Sequence, residues 1–496
     1  MDVEVLAQAI RDESRKLILR YEAYQNNLHR DWLRNCKRTG LALQKEVRRP
    51  EYWGRDRKFD PFYCHARSLP IARSIVKKIS AGWYIPNDPF EKEIPKQSGG
   101  TRRLRIYQVP DAAVSRLLYG RLLAKNKHRF SSFAYAYRDD RNVHYAVQDI
   151  SLELSGRSRR FVAEYDFSDF FGNINHSFLL HQLKGHGLLL SEEDDVLVNS
   201  FLGREGRGIP QGTSISLFLA NIACIELDKK FENLGVKFAR YADDTVICSS
   251  SYDAVCRAVD ALMEFSFRSG VPVNYKKSAG INLLSPSWHP NEIRSKESFD
   301  FLGYNIGLGS LSVKESSVLK IKQQISYIIY SNLIQPIKSS PLRSVAIPAG
   351  RRDPGLLSAM MQVRRYICGG LYKSELRRHA EGRGGQLRFK GVMSFYPLVT
   401  DFEQMKDLDG WLVAVIFRAL KLRARMLAGH GYSRFHRFPF TVAQDKLVRE
   451  FDAYRVHGKA LLEIPSFELV LRSMQRAMRE YGIAFVMNSR SNSYSY

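Results

Sequence analysis

The chain has 496 residues and a mass of 57.0 kDa, and its 76 Lys and Arg against 51 Asp and Glu give a formal net charge of +25. With 44% hydrophobic and 26% charged residues, the composition is that of a globular protein of several domains and excludes wholesale disorder. So large a basic excess points to a polyanionic partner, nucleic acid before an anionic membrane surface.

The excess is uneven. Residues 311–496 hold 30 Lys and Arg against 14 Asp and Glu, about two thirds of the net charge. The apolar run 411–417 is too short to span a bilayer. The first residues, Met1-Asp2-Val3-Glu4, carry acid where a secretory signal carries base. Cys36, Cys64, Cys224, Cys248, Cys256 and Cys368 form no CxxC pair and no zinc-ligand spacing, which predicts reduced, mostly buried thiols in a cytoplasmic protein. His176 and His181 lack the i,i+4 spacing of a helical metal pair and read as structural.

In chain order, residues 1–60 read as helical and charged, with Val5, Leu6, Ala9 and Ile10 as an apolar stripe. An aromatic connector follows around Tyr52, Trp53, Phe59 and Tyr63. Residues 95–101 read as a turn between extended segments, the second of them basic: Arg102, Arg103, Leu104, Arg105. Pro110-Asp111 opens a helix that Asp111 is expected to cap. Residues 161–167 read as a buried strand, 206–212 as a glycine-rich loop, 214–227 as an apolar helix, and 237–250 as strand, tight turn, strand. Beyond Gly309 the periodicity predicts long amphipathic helices over 316–338, 355–372, 402–427, 441–456 and 465–481.

Two acidic clusters interrupt the apolar strands: Glu164-Tyr165-Asp166-Phe167-Ser168-Asp169 and Tyr241-Ala242-Asp243-Asp244. A carboxylate at a strand end costs desolvation unless something compensates it, and Asp-Asp at a surface turn is by itself common. A pair of such sites in a strongly basic chain has a more specific reading. Converging carboxylates can hold two divalent metals that clamp the attacking and leaving oxygens of an in-line phosphoryl displacement, and Mg²⁺ suits that donor set.

Tyr241-Ala242-Asp243-Asp244 resembles the signature hairpin of reverse transcriptases. Residues 161–171 resemble their first catalytic motif, and Gly208-Ile209-Pro210-Gln211-Gly212 the loop between the two. Val273-Asn274-Tyr275-Lys276-Lys277-Ser278 is similar to the lysine-bearing motif, Phe299-Asp300-Phe301-Leu302-Gly303-Tyr304 to the primer-gripping hairpin, and 94–105 and 132–138 to the fingers. Seven motifs in order imply an α+β right-hand polymerase fold, with a helical N-terminal extension over 1–90, fingers and palm over 91–310, and a helical thumb with a basic C-terminal extension over 311–496.

The resemblance implies an RNA-directed DNA polymerase using two Mg²⁺ ions, with Mn²⁺ as a substitute. Asp166 and Asp243 would be the principal metal ligands, with Asp244 and the backbone carbonyl of Phe167. Phe171 would be the ring that excludes a ribose 2′-OH and so selects dNTPs. Gln211 would touch the incoming nucleotide, Lys96, Arg103 and Arg105 the triphosphate, and Lys277 the departing pyrophosphate, with Lys276 a neighbouring alternative.

Retron enzymes carry an Asn-Ala-x-x-His element and a thumb Val-Thr-Gly, and neither is present. Residues 388–397, with Leu408-Asp409-Gly410-Trp411-Leu412, resemble bacterial defence-associated reverse transcriptases of the unknown groups, with type 9 the subtype expected among them. That resemblance implies an antiphage role, a noncoding RNA as template or scaffold, a DNA product and a homo-oligomer built through helical extensions. Arg418, Lys421, Arg423 and Arg425, and the aromatic-basic stretch Tyr432, Arg434, Phe435, His436, Arg437, Phe438, are the expected RNA surface. Tyr494 or Tyr496 would prime synthesis from a protein hydroxyl. The competing readings are an RNA-making polymerase, a group II intron-like maturase and a catalytically silent RNA-binding scaffold.

Overall fold

A computed structural model describes residues 1–39, 46–95, 101–156, 159–203, 205–286, 294–339, 352–432 and 437–488. The described residues form two compact units, one of 1–26 with 46–297 and one of 27–39 with 298–488. Lys96, Arg434, Phe435, His436, Tyr494 and Tyr496 lie outside the described residues.

The first unit is built on a five-stranded sheet of order β4-β5-β3-β6-β7, where β3 is Arg160–Tyr165, β4 Lys237–Tyr241, β5 Asp244–Ser249, β6 Gly280–Leu284 and β7 Ser295–Lys296. Its central strand β3 is apolar because it is covered: Val162 and Ala163 are fully buried. β1 (Phe90–Pro95) and β2 (Thr101–Ile106) form a separate antiparallel ribbon, paired from Phe90↔Ile106 to Pro95↔Thr101. Helices Val109–Asn126, Ile215–Ala223 and Tyr252–Ser269 supply much of the core around Leu118, Phe218 and Leu262.

Several local expectations need correction. The N-terminal helix is Val3–Thr39, and Glu51–Gly54 and Arg57–Phe59 form short 3₁₀ turns instead of helix. Asp111 does not cap its helix. Its buried carboxylate accepts from Tyr84 Oη (2.7 Å), Asn87 Nδ2 (2.9 Å) and Asn87 N–H (3.1 Å). Burial pushes that carboxyl above its usual range, against the pull of the Asn87 and Tyr84 hydrogen bonds. The expected helix over 214–227 is two helices, Ile215–Ala223 and Ile225–Asn233, broken at Cys224 (φ −96°, ψ 0°). The break lets Asp228 meet Arg240, as described below.

The helix Val143–Leu154 is capped by Asn142, whose Oδ1 accepts from His144 N–H at 2.9 Å. His144 is fully buried, and burial pushes its imidazole down to about 4 from 6.5. Between those values the folded chain binds fewer protons than the unfolded one. Stability present above pH 6.5 is therefore lost as pH falls, by about 2 kcal/mol between pH 7 and pH 5. Urea unfolding at the two pH values, in wild type and His144→Gln, checks this. The variant should lose most of the difference, and an unchanged slope contradicts the assignment.

In the second unit, β8 (Ser298–Phe301), β9 (Tyr304–Gly307) and β10 (Leu311–Val313) form a meander. Buried Tyr304 donates to the Phe395 carbonyl (3.3 Å) and meets Tyr396 edge-on, so residues of the 388–397 segment pack against the β8–β9 hairpin. The described helices are Glu315–Leu333, Gln335–Ser339, Pro354–Cys368, Lys373–Ala380, Phe402–Gly429, Leu447–Ala453, Phe467–Tyr481 and Ile483–Val486, so the expected 316–338 helix is two. The expected 441–456 helix is confined to Leu447–Ala453. Residues 441–446 are turns beside the Phe440 carbonyl, which accepts from Lys421 Nζ at 3.0 Å. Arg423 is also not a surface cation. It is buried against Asp353 (Nε–Oδ2 2.7 Å, Nη2–Oδ1 2.9 Å) and the Leu333 carbonyl (2.7 Å), joining three helices. Arg418, Lys421 and Arg425 stay exposed.

Candidate active site

The ladder between β3 and β5 ends at Tyr165↔Thr245, and the β4–β5 ladder ends at Tyr241↔Asp244. Asp166 therefore leaves β3 beside the two-residue turn Ala242-Asp243 and the first residue of β5, Asp244. One end of the sheet carries all three carboxylates, because β3 ends beside the turn that joins β4 to β5.

Asp166 is held on its other side by the 273–278 segment. Its carbonyl accepts from Asn274 N–H (2.8 Å), and its N–H donates to Ser278 Oγ (3.1 Å). Its Oδ2 accepts from Asn274 Nδ2 (3.0 Å) and faces Lys277 Nζ at 3.3 Å. Lys277, not Lys276, is thus the lysine brought to the carboxylate, and its side chain is 56% exposed. Phe167 is buried and bridges to Val273.

Among the described residues the side-chain contacts of Asp166 all run through Oδ2, which leaves Oδ1 as a donor for a cation. No three His, Cys, Asp or Glu side chains close into a metal cage among the described residues. An open set of hard carboxylates fits Mg²⁺, which keeps waters and substrate phosphates in its shell.

The glycine-rich loop lies against the β1–β2 ribbon. Arg105 N–H donates to the Gln211 carbonyl (2.9 Å), and a Cβ on Gly212 (φ +115°) would stand 2.2 Å from the Arg105 carbonyl oxygen, so only glycine permits that approach. His176 Nε2 anchors the loop on the Gly208 carbonyl (2.7 Å), confirming a structural role. A cavity of about 440 Å³ opens there, lined among others by Arg103, Arg105, Asp169, Glu205, Arg207 and Gln211. Arg105 is not a bare cation: it pairs with Glu205 (3.0 Å) and Glu91 (3.4 Å), while Arg103 reaches Glu91 at 3.7 Å. Phe171 does not line this cavity. Its ring meets Tyr137 and Phe170 edge-on, and its carbonyl accepts from Ile209 N–H (2.6 Å), one residue before Pro210-Gln211.

The sequence reading missed what lies beneath the carboxylate turn. Ala242 is a non-glycine residue at φ 61°. Arg240, 1% exposed, reaches the Ala242 carbonyl (3.3 Å) and Asn221 Oδ1 (3.3 Å), and forms a bidentate pair with buried Asp228 (2.7 and 2.6 Å). Its backbone pairs with the 132–138 segment: Tyr135 N–H donates to its carbonyl (2.9 Å) and its N–H donates to the Phe133 carbonyl (3.0 Å). The legible signal was a charged residue following the apolar pair Phe238-Ala239, directly before the Tyr-Ala-Asp-Asp turn.

Residues 94–306, somewhat under half of the chain, match the profile of the reverse transcriptase (RNA-dependent DNA polymerase) family. Among curated proteins it is similar to Protein YkfC of Escherichia coli K12, 29% identical over 163 residues, covering 31% of this chain and 43% of that protein. It is similar to the group II intron-encoded protein LtrA of Lactococcus lactis, 26% over 185 residues, covering 35% of this chain and 30% of LtrA. It is also similar to the retron Ec86 reverse transcriptase of Escherichia coli, 25% over 189 residues, covering 37% and 56%. The chain thus spans 30 to 56% of the length of these three relatives. A solved telomerase of Candida albicans, in complex with a fragment of telomeric RNA, aligns at 12% identity and a TM-score of 0.37, over 79% of this chain and 69% of that one.

Proposed function

We propose that the chain is a cytoplasmic RNA-directed DNA polymerase of bacterial antiphage defence that copies an associated noncoding RNA into DNA. The observation that carries the chemistry is the common end of β3 and the β4–β5 turn, which places Asp166, Asp243 and Asp244 at one end of the sheet with Lys277 against Asp166. Asp166, Asp243, Asp244 and the Phe167 carbonyl would hold two Mg²⁺ ions, which when bound stabilise the entering and leaving oxygens of the phosphoryl transfer. Arg103 and Arg105 exchange Glu91 and Glu205 for the triphosphate, and Lys96 is assigned to the same task. Gln211 orients the nucleotide at the loop that Gly212 presses against β2. Lys277 Nζ supplies a proton to pyrophosphate. Tyr494 or Tyr496 is the proposed protein primer.

Phe171 selects the sugar by bulk. Phe171→Ala should reduce the preference for dNTPs over NTPs by about tenfold or more, roughly 1.4 kcal/mol. Single-nucleotide incorporation with each substrate reads this ratio, and an unchanged ratio removes Phe171 from the role.

The defence assignment is supported by the likeness of residues 388–397 and 408–412 to that group, with the helical extensions as the proposed assembly and RNA surfaces. Phage challenge of cells carrying the wild type or the Asp243→Ala plus Asp244→Ala variant tests it. Protection should need the intact carboxylates, and equal protection by both contradicts an enzymatic defence role. The likeness to LtrA favours a maturase as the second reading, which splicing of a group II intron RNA by the purified chain would support.

A further inference from the structure

A second candidate nucleic-acid site lies outside the matched family segment. The helix Ser68–Ser80 turns one face, Arg67, Ile71, Ser74, Ile75 and Lys78, into a cavity of about 400 Å³. Arg57 and Lys58 line the same cavity from the preceding turn. Across residues 57–78 there are six Lys and Arg and one acid, Asp60. Asp60 is committed to capping a helix through Phe62 N–H (2.9 Å), and nearby Asp56 accepts from Lys58 N–H (2.8 Å). Among the described residues Arg57, Lys58, Arg67 and Lys78 form no ion pair. The acid that lines the cavity, Asp111, is buried and held by Tyr84 and Asn87.

The rim is also apolar in an unusual way. Trp83 is 58% exposed and Ile85, which lines the cavity, is 68% exposed. Lys78 Nζ stands 5.2 Å from the Trp83 ring centroid, and the Trp83 backbone N–H donates to the Lys78 carbonyl (3.1 Å), so the ring sits beside Lys78. Cations without acid partners beside an exposed indole match what an unpaired nucleotide segment needs: phosphate contacts along the cations and a platform for a base. An acidic peptide would use the cations and leave the indole idle.

We propose that the cavity between residues 57–58 and the helix Ser68–Ser80, with Trp83 at its rim, binds an unpaired segment of nucleic acid, phosphates on Arg57, Lys58, Arg67 and Lys78 and a base on Trp83. It is separate from the polymerase carboxylates and needs no nucleotide turnover.

The test uses the full chain and a fluorescein-labelled 12-nucleotide oligoribonucleotide, with the same sequence as DNA in a parallel arm. Affinity is read by anisotropy across salt concentrations, and contacts by cross-linking a 4-thiouridine- or 4-thiothymidine-substituted oligonucleotide and mass spectrometry. Arg67→Glu with Lys78→Glu should weaken binding about tenfold or more and flatten the salt slope by about two. Trp83→Ala should weaken it about tenfold, and Trp83→Phe should restore most of the loss. Cross-links should fall within 57–87, and the arm that shows them identifies the strand bound. Affinities and salt slopes within twofold of wild type, with cross-links only elsewhere, overturn the proposal. So does equal competition by polyglutamate with no effect of Trp83→Ala. The same measurements beside a polymerase assay on the wild-type chain separate the two proposals: cross-linking at Trp83 by a wild-type chain without polymerase activity contradicts only the catalytic reading, and wild-type activity without cross-linking contradicts only this one.

Discussion

Asp166→Asn, or Asp243→Ala with Asp244→Ala, will reduce nucleotide incorporation about a thousandfold or more, roughly 4 kcal/mol of transition-state stabilisation, without lowering the unfolding midpoint. The three carboxylates stand at one end of the sheet, not within a core, and Asp166 keeps its backbone bonds to Asn274 and Ser278 whatever its side chain. Removing charge there should cost chemistry and leave the fold intact. Asp166→Asn also removes the partner of Lys277 Nζ at 3.3 Å. Single-turnover incorporation and a thermal melt of each variant check both statements. A variant that unfolds, or that keeps a rate within tenfold of wild type, contradicts the assignment.

The second large effect lies under the turn. Asp228→Ala leaves the Arg240 guanidinium buried without its counter-ion. Breaking one half of such a pair costs about 3–5 kcal/mol, because the remaining buried charge has lost its compensation. The same change frees the group that reaches the Ala242 carbonyl at 3.3 Å, where the chain runs through φ 61° without a glycine. Non-glycine residues in that region cost about 1 kcal/mol or more and need support from their surroundings. Asp228→Ala should therefore lower stability and also raise the Mg²⁺ concentration needed for half-maximal incorporation, since the carboxylate turn loses its brace. Asp228→Asn, which keeps the shape and part of the hydrogen bonding, should recover some stability. Denaturant titration reads the first effect and a Mg²⁺ titration the second. A destabilised variant with an unchanged Mg²⁺ requirement would make the pair a packing feature alone.

The parts of this architecture that were legible in the sequence are those written locally. The apolar run before Asp166 and the Tyr-Ala-Asp-Asp turn each encode strand and bend within a few residues, so β3 and the β4–β5 hairpin follow from pattern and motif. Gly208 and Gly212 mark backbone that passes close to another segment. The pairs that join distant segments were not legible. Nothing near Asp111 points to Tyr84 or Asn87, and Arg423 on an amphipathic helix looks like any other surface arginine until Asp353 is found beside it. The break at Cys224 has no proline or glycine to announce it, because it is imposed by tertiary demands: Asn221 donates to the Ala136 carbonyl and Asp228 must face Arg240. The cationic cavity beside Trp83 escaped for a related reason. Its cations are separated by helical and turn spacing and come together only when the helix Ser68–Ser80 folds against its neighbours.

The most direct test of the central claim is extension of a DNA primer annealed to an RNA template by the purified full-length chain with Mg²⁺, comparing dNTPs with NTPs. The account predicts template-dependent DNA extension with dNTPs, little with NTPs, and none after Asp243→Ala plus Asp244→Ala. Extension with NTPs in preference to dNTPs, or no extension by a folded wild-type chain with either Mg²⁺ or Mn²⁺, would contradict it.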